Sequence, residues 1–355
     1  MTDLMRAGII GAGGYTGAEL VRLIGAHPKL ELRWVAGHES AGRRLSEVLP
    51  GTLGVQGVGS LTLERYSAER AAELASALDV VFCCLPHGKS AAVVASLYQA
   101  GLTVVDLSAD FRTQSQAAYE AWYGPHPAPE LLPEAVYGLP ERYRRELAGA
   151  RLIAAPGCYP TSAILPLAPL FAAGLVDVSA PVVIDAKSGV SGAGRSPSAS
   201  THYPEAAEGL RAYKVAGAHR HTGEIEQQLE RAAGAPVSVL FTPHLVPMSR
   251  GILSSSYVKL TSGASLADCR EAARAAYPEG GLVTLLEESL PDTLWVRGTA
   301  RAHISYQRDE RTGLLLALCA IDNLTRGASG QALQALNVAF GWDEALGLPV
   351  LGQFP

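Results

Sequence analysis

The sequence predicts an α/β domain with a parallel sheet, followed by an α+β domain whose sheet is mainly antiparallel. Three observations carry this. The first half alternates short, continuously apolar strands with helical segments, the pattern of a parallel sheet covered on both faces. A glycine-rich turn follows the first strand and opens the first helix. Beyond residue 158 the helices thin out, and stretches such as "SSSYVKL" and "RAHISY" alternate polar with apolar residues, as in an antiparallel sheet with one covered face.

In chain order, the first strand is expected at Arg6–Ile10. A helix follows at Tyr15–Ala26, with Leu20, Leu23 and Ile24 on one face. Strands at Glu31–Ala36, Val80–Leu85, Leu102–Leu107 and Arg151–Ala155, with a helix at Ser90–Ala100, complete the alternation. In the second half the candidate strands are Val182–Ala186, Val237–Thr242, Ile252–Leu260, Leu294–Val296, Ala300–Tyr306 and Leu314–Ile321. A last helix is expected at about Ser329–Phe340. The length of 355 residues suits two domains, and a hydrophobic content of 48% supplies their cores. No internal repeat is visible. The Gly- and Ser-rich stretch Ser191–Thr201 is the one segment with the composition of a mobile loop.

A net charge of −5 argues against a general nucleic-acid binder and still permits a small basic pocket for an anionic metabolite. No segment reads as a signal peptide and no apolar run is long enough to span a bilayer, so no membrane association and a cytoplasmic location are expected. Cys83, Cys84 and Cys319 lie in apolar strand-like runs, and Cys269 in a helical segment. These four read as small buried residues of a reducing compartment. None pairs with a histidine at ligand spacing, so no metal site is expected.

The turn "GAGGYTGAEL" spaces its glycines G-x-x-G-x-x-G rather than in the usual dinucleotide pattern. Glycines at such a turn allow positive φ and close approach of main-chain N–H groups to a pyrophosphate at a helix N-terminus. Gly11, Gly13, Gly14, Tyr15, Thr16 and Gly17 are therefore candidate cofactor contacts. Glu39 stands near where an acidic ribose ligand would be. Ser40, Arg43 and Arg44 offer instead a hydroxyl and two guanidinium groups suited to a 2′-phosphate, which favours NADP over NAD; the alternative for the arginines is a solvated loop. Pro86 and His87 follow another strand, where loops line the crevice of such a fold.

Cys158 differs from the other cysteines. It follows a strand in "APGCYPTSA", and Thr161 or Ser162 is available to cap the apolar segment after it, although Pro166 and Pro169 suggest a kinked or late helix. A lone cysteine is ordinarily structural, but a thiol at a helix start near a nicotinamide crevice suits a nucleophile. Beside a hydride donor, such a sulfur would form a thioester from an activated acyl group and release an aldehyde. The chemistry needs a proton carrier. His219 and His221, in "HRHTGEIEQ" before a helix with Thr222 as a plausible N-cap, are both candidates that spacing does not rank; Arg220 between them could hold an anion.

"GAGGYTGAEL", "DLSADFR", "PGCYPT", "DAKSGVSGAGR", "HRHTGEIEQ", "FTPHLVPMSRGIL" and "DNLTRGASGQALQALN" occur in an order that resembles the N-acetyl-gamma-glutamyl-phosphate reductases, in the wider family that includes aspartate-semialdehyde dehydrogenase. The resemblance covers nearly the whole chain. It implies a Rossmann-type NADP domain of residues 1–157 plus 329–355 and a catalytic and oligomerisation domain of residues 158–328. It implies reduction of an acyl phosphate of N-acetylglutamate to the semialdehyde by NADPH, in arginine biosynthesis, by a homodimer or homotetramer. In such enzymes the cysteine matching Cys158 is the nucleophile, and the histidine matching His219 or His221 the base. Ser188, Gly189 and Gly192, in the Ser188–Arg195 loop, and Asn323 match cofactor contacts. Arg112, Tyr159, Lys187, Arg195 and Arg220 would meet the anionic substrate, with Lys214 adding charge. Gly223 stands where the family more often has proline. The alternatives are the same chemistry on a carrier-bound aminoadipyl phosphate of lysine biosynthesis, separated by pocket contacts worth about 1–3 kcal/mol per methylene, and a non-catalytic NADP-binding regulator.

Overall fold

The computed structural model describes residues 4–353. The chain forms two compact units, Met1–Pro156 with Ala328–Leu348 and Gly157–Gly327 with Pro349–Pro355. The sequence reading assigns all of 329–355 to the first unit. The structure divides this tail, because Pro349 O accepts the Ala300 N–H at 2.9 Å and Gln353 N–H donates to Arg297 O at 3.4 Å.

The first unit holds six strands: β1 (Met5–Ile10), β2 (Leu30–Ala36), β3 (Val80–Cys83), β4 (Thr103–Asp106), β5 (Val136–Tyr137) and β6 (Leu152–Ala154). All pair in parallel, in the order β2-β1-β3-β4-β6-β5. The central strands are inaccessible on both faces, as helices on each side require. After β1 the chain goes to β2 on one side, and β3 then takes the other flank. Ligands bind outside the strand C-termini at such a reversal. The helix Tyr15–Gly25 buries Leu20, Val21, Leu23 and Ile24. The helix Gly330–Ala339 is buried at every residue and packs on the helices Pro140–Leu147 and Tyr15–Gly25 and on β4 and β6.

The second unit holds β7 (Val182–Gly189), β8 (Arg211–Ala212), β9 (Val239–Val246), β10 (Ile252–Lys259), β11 (Val283–Leu285), β12 (Ala302–Arg308) and β13 (Leu314–Ile321), in the order β11-β12-β13-β10-β7-β9-β8. Four pairings are antiparallel; β7–β9 and β11–β12 are parallel. β7, β9 and β10 alternate buried with half-buried residues. One face packs under the helix Cys158–Ala172, which touches β10, β12 and β13. The other leaves Val183, Leu253, Tyr257, Leu316 and Leu318 half-exposed and Leu240 exposed. Leu294–Val296, read from sequence as a strand, lies in a single helical turn, Thr293–Val296, because Asp292 Oδ1 accepts the Leu294 N–H at 2.8 Å and caps it.

The helix Cys158–Ala172 contains Pro166 and Pro169, yet neither delays nor ends it. A proline lacks the N–H that would bond the carbonyl four residues back. The two carbonyls so released are Ser162 O and Leu165 O. Ser254 Oγ donates to the first at 2.9 Å and Tyr277 Oη to the second at 2.6 Å. Tyr306 Oη also donates to Pro166 O at 2.6 Å. The surrounding scaffold thus replaces the missing ladder bonds. Thr161 and Ser162, expected as caps, lie inside the helix, and their hydroxyls bond back to Gly157 O and Tyr159 O at 2.9 Å each.

Candidate active site

Gly157 is the N-cap of that helix and Cys158 its first residue. The thiol is in no disulfide and half-buried. The N-terminal end of the helix dipole favours a thiolate there. Glu224, 5% exposed, accepts the Gly157 N–H on Oε1 at 2.9 Å and so ties the loop before Cys158 to the helix His221–Ala233. That helix starts at His221 with Arg220 as N-cap; Thr222, the expected cap, sits within its first turn, buried.

Tyr159 connects the cysteine to the histidines. Its ring meets His219, His221 and Phe241 with centroids 5.7, 6.0 and 5.2 Å apart. His219 also contacts Tyr213 (5.6 Å), His221 (4.8 Å) and Phe241 (5.2 Å). Tyr213 Oη donates to Tyr159 Oη at 3.2 Å, and Tyr159 Oη to His244 O at 3.1 Å. Burial raises the Tyr159 hydroxyl far above its ordinary value, helped by Tyr213 and by the Cys158 charge. Burial likewise pushes Tyr213 to about 12. The two hydroxyls therefore remain protonated donors at neutral pH.

His219 Nδ1 accepts the His221 N–H at 3.2 Å, which leaves the neutral ring's proton on Nε2. Burial first, then the charges of Lys214 and Arg220, lower its pKa to about 4. Just upstream, Glu208, Lys214 and Ala216 hold φ of +59°, +45° and +55°. Non-glycine residues adopt this region only under constraint from their surroundings. Sequence reading had no signal for this strained approach to the histidines.

Of the predicted substrate residues, Tyr159, Lys187, Arg195 and Arg220 belong to the second unit and Arg112 to the first. Lys187 Nζ pairs with Asp185 Oδ1 at 2.5 Å, and Arg195 is exposed on its loop. Ser188 is buried. The main chain after it is fastened to residues 248–251: Gly189 N–H to Gly251 O and Val190 N–H to Met248 O, both 2.9 Å. A Cβ on Gly189 would lie 2.9 Å from Arg250 N and Met248 O, which explains the glycine. Asn323, 2% exposed, accepts Gly251 N–H on Oδ1 (2.7 Å) and donates from Nδ2 to Ser191 Oγ (2.9 Å), so it fixes this loop; Gly192 lies close to Ser188 and Asn323.

In the first unit, Gly11 has φ +83°, and a Cβ there would lie 2.3 Å from Cys84 O at the end of β3. A Cβ on Gly17 would lie 2.3 Å from Gly11 O, so the helix sits hard against the turn. Gly14 is the N-cap of the helix Tyr15–Gly25, with no side-chain cap. A Cβ on it would meet only Gly11 O, at 3.5 Å, so the approach to the N–H groups of Tyr15 and Thr16 is open. This cradle fits a pyrophosphate. Ser40 Oγ would be 3.5 Å from a Cβ on Gly13, which places it beside the turn. Arg43 is exposed and donates to Glu47 O at 3.0 Å.

Pro86 is exposed. His87 Nδ1 accepts the Ala109 N–H at 2.9 Å. Arg112, 5% exposed, donates to Ala155 O (2.7 Å) and Leu107 O (2.9 Å). The "DLSADFR" stretch thus builds the rim of the first unit. Asp110 accepts the N–H groups of Gly88, Ser90 and Ala91 at 2.7, 3.0 and 3.0 Å and so caps the helix Ala91–Gln99 from outside it. Buried Asp106 accepts Ser90 Oγ (2.7 Å) and Ser108 Oγ (2.6 Å), and burial raises it to about 6. No local pattern marks a cap lying nineteen or more residues beyond the helix start. Among the described residues no His, Cys, Asp and Glu cluster is placed to hold a metal, and no helix is long and apolar enough to cross a membrane.

The family profile described as semialdehyde dehydrogenase, NAD binding domain, matches residues 6–150, and that described as semialdehyde dehydrogenase, dimerisation domain, residues 158–323. Among curated proteins, the chain is similar to the N-acetyl-gamma-glutamyl-phosphate reductase of Magnetococcus marinus, 48% identical over 100% of both chains. It is equally similar to that of Syntrophobacter fumaroxidans, 48% identical over 97% of this chain and 98% of the other. Among solved structures, aspartate semialdehyde dehydrogenase II from Vibrio cholerae shares the fold at TM-score 0.69 and 15% identity, covering 95% of this chain and 98% of that one. The aspartate semialdehyde dehydrogenase with NADP from Candida albicans shares it at 0.69 and 14%, with the same coverage.

Proposed function

Because the chain belongs to the semialdehyde dehydrogenase family, we propose that it acts as its full-length relatives are named, as an N-acetyl-gamma-glutamyl-phosphate reductase. It reduces the acyl phosphate of N-acetylglutamate to the semialdehyde with NADPH, a step of arginine biosynthesis in the cytoplasm. The observation that carries the mechanism is Cys158, half-buried at the first position of a helix, in a unit that also holds both histidines.

The Cys158 sulfur attacks the acyl carbon; a carbon–sulfur bond forms as the carbon–oxygen bond to phosphate breaks, and inorganic phosphate leaves. The reduced nicotinamide, when bound, supplies the hydride that takes the acyl carbon to the aldehyde level. Cys158 keeps the acyl group covalently held until then and departs as thiolate when its bond to carbon breaks. The two histidines have different tasks. A proton carrier works best with a pKa near the working pH. His219, lowered to about 4 with Nδ1 engaged, stays neutral and presents Nε2–H as a fixed donor to developing negative charge on oxygen. His221, on the same turn, carries the proton.

Lys187, Arg195 and Arg220, with Tyr159, meet the anionic substrate. Arg112 shapes the strand ends rather than the phosphate site, since its Nε and Nη2 serve carbonyls. Gly11, Gly13, Gly14, Tyr15, Thr16 and Gly17 hold the pyrophosphate, Ser40 and Arg43 the 2′-phosphate, and Pro86 and His87 flank them. Ser188, Gly189, Gly192 and Asn323 are the cofactor contacts of the second unit. The half-exposed sheet face with Val183, Leu253, Tyr257, Leu316 and Leu318 receives a second copy, giving a homodimer or homotetramer. The test is phosphate-dependent reduction of NADP by N-acetylglutamate semialdehyde. Cys158→Ser abolishes it, and a variant retaining the full rate would refute covalent catalysis.

A further inference from the structure

We infer that Gly327 is a positioning residue for Cys158, held in place by the buried carboxylate of Asp322 and its partner Arg250; this rests on the reading of Cys158 as nucleophile. Residues Thr325–Ser329 form a single π-helical turn between β13 and the last helix. Such turns are rare and concentrate at functional sites. A Cβ built on Gly327 lies 2.7 Å from Cys158 Cβ, 3.1 Å from Cys158 Cα and 3.3 Å from Ile321 Cδ1. The Gly327 backbone does not have the positive φ that favours glycine, so what excludes a side chain here is the cysteine itself.

The turn has little freedom to give way. Asp322, fully buried, accepts a hydrogen bond from Arg250 Nη2 on Oδ1 at 2.9 Å, and its Oδ2 lies 2.9 Å from Arg250 Nε as an ion pair. Its Oδ1 also accepts the N–H groups of Leu324 (2.9 Å) and Thr325 (2.8 Å), and Oδ2 that of Gly298 (2.7 Å). Arg250 Nη2 reaches on to Thr325 Oγ1 at 2.8 Å, and Gly327 N–H donates to Asp322 O at 2.8 Å. A methyl group at 327 would therefore move Cys158 rather than the turn. Since Cys158 is the first residue of its helix, a shift of its Cα and Cβ swings the sulfur away from the helix end.

The test uses the full-length enzyme. Gly327→Ala should lower kcat by about 10²-fold, the scale of a displacement near 1 Å, with the KM for NADPH unchanged. Site-resolved alkylation of Cys158 by iodoacetamide should show its pH midpoint raised by about one unit as the sulfur leaves the helix end. Unchanged kcat and alkylation midpoint in Gly327→Ala would overturn the inference. If that variant does not fold, Thr325→Val, which removes the hydroxyl that accepts from Arg250, should slow Cys158 alkylation several-fold, and an unaltered rate there overturns it equally. A fully active Cys158→Ser enzyme would instead sink the underlying nucleophile reading.

Discussion

The helix Cys158–Ala172 offers a differential test of how a fold tolerates proline. Ser254→Ala and Tyr277→Phe each remove a hydroxyl from a carbonyl, Ser162 O or Leu165 O, whose ladder donor proline has already eliminated. Ser254 is fully buried and Tyr277 is 7% exposed, so water cannot replace the bond. Leaving a buried acceptor without a donor costs about 1–3 kcal/mol. Tyr306→Phe removes an equally short bond to Pro166 O. Pro166 O, however, has Leu170 four residues on within the same helix as its regular N–H donor, so the loss should be the smaller one of an ordinary bond, about 0.5–1.5 kcal/mol. Urea denaturation of the three single variants gives the ranking, read as midpoint shifts at constant m-value. If Tyr306→Phe proved the most costly of the three, or if Ser254→Ala and Tyr277→Phe both lay within about 0.5 kcal/mol of the parent, a typical surface substitution, the compensation argument would fail.

Two further outcomes are expected. His219 has a folded-state pKa near 4, below the ordinary 6.5, so the unfolded chain binds more protons between those values and stability should fall as pH drops from 6.5 towards 4; His303, lowered to about 4 by burial and then Arg301, adds to the same window. Urea midpoints across that range should show the loss, with a shallower slope in His219→Gln, and an identical slope would refute the assignment. Arg43→Ala should raise the KM for NADPH much more than that for NADH; equal effects in steady-state kinetics would remove Arg43 from the 2′-phosphate.

The β–α–β alternation and the glycine turn were legible because their signals are local: apolar runs of strand length, and a turn that needs Gly11 at positive φ. The long strands of the second sheet were legible from their period. β5, β8 and β11 were not, since two or three residues show no period, and their neighbours alone make them strands. Cys158 stood out by its place after a strand and at the start of a helix, although the caps expected at Thr161 or Ser162 lie inside that helix. The hydroxyls that make its prolines tolerable come from 92 and 112 residues away. The same distance hid the task of Asp110 and the packing of Gly327 on Cys158. Which ring nitrogen of His219 receives a main-chain N–H was equally out of reach.

The nucleotide-binding unit is closed by a helix, Gly330–Ala339, that follows only after the whole of Gly157–Gly327. During synthesis, strands β1 to β6 leave the ribosome long before the segment that fills their flank. The intervening unit has a continuous stretch of chain for almost all of its mass and can condense first. The N-terminal portion must wait with an apolar groove uncovered, a target for chaperones on the nascent polypeptide.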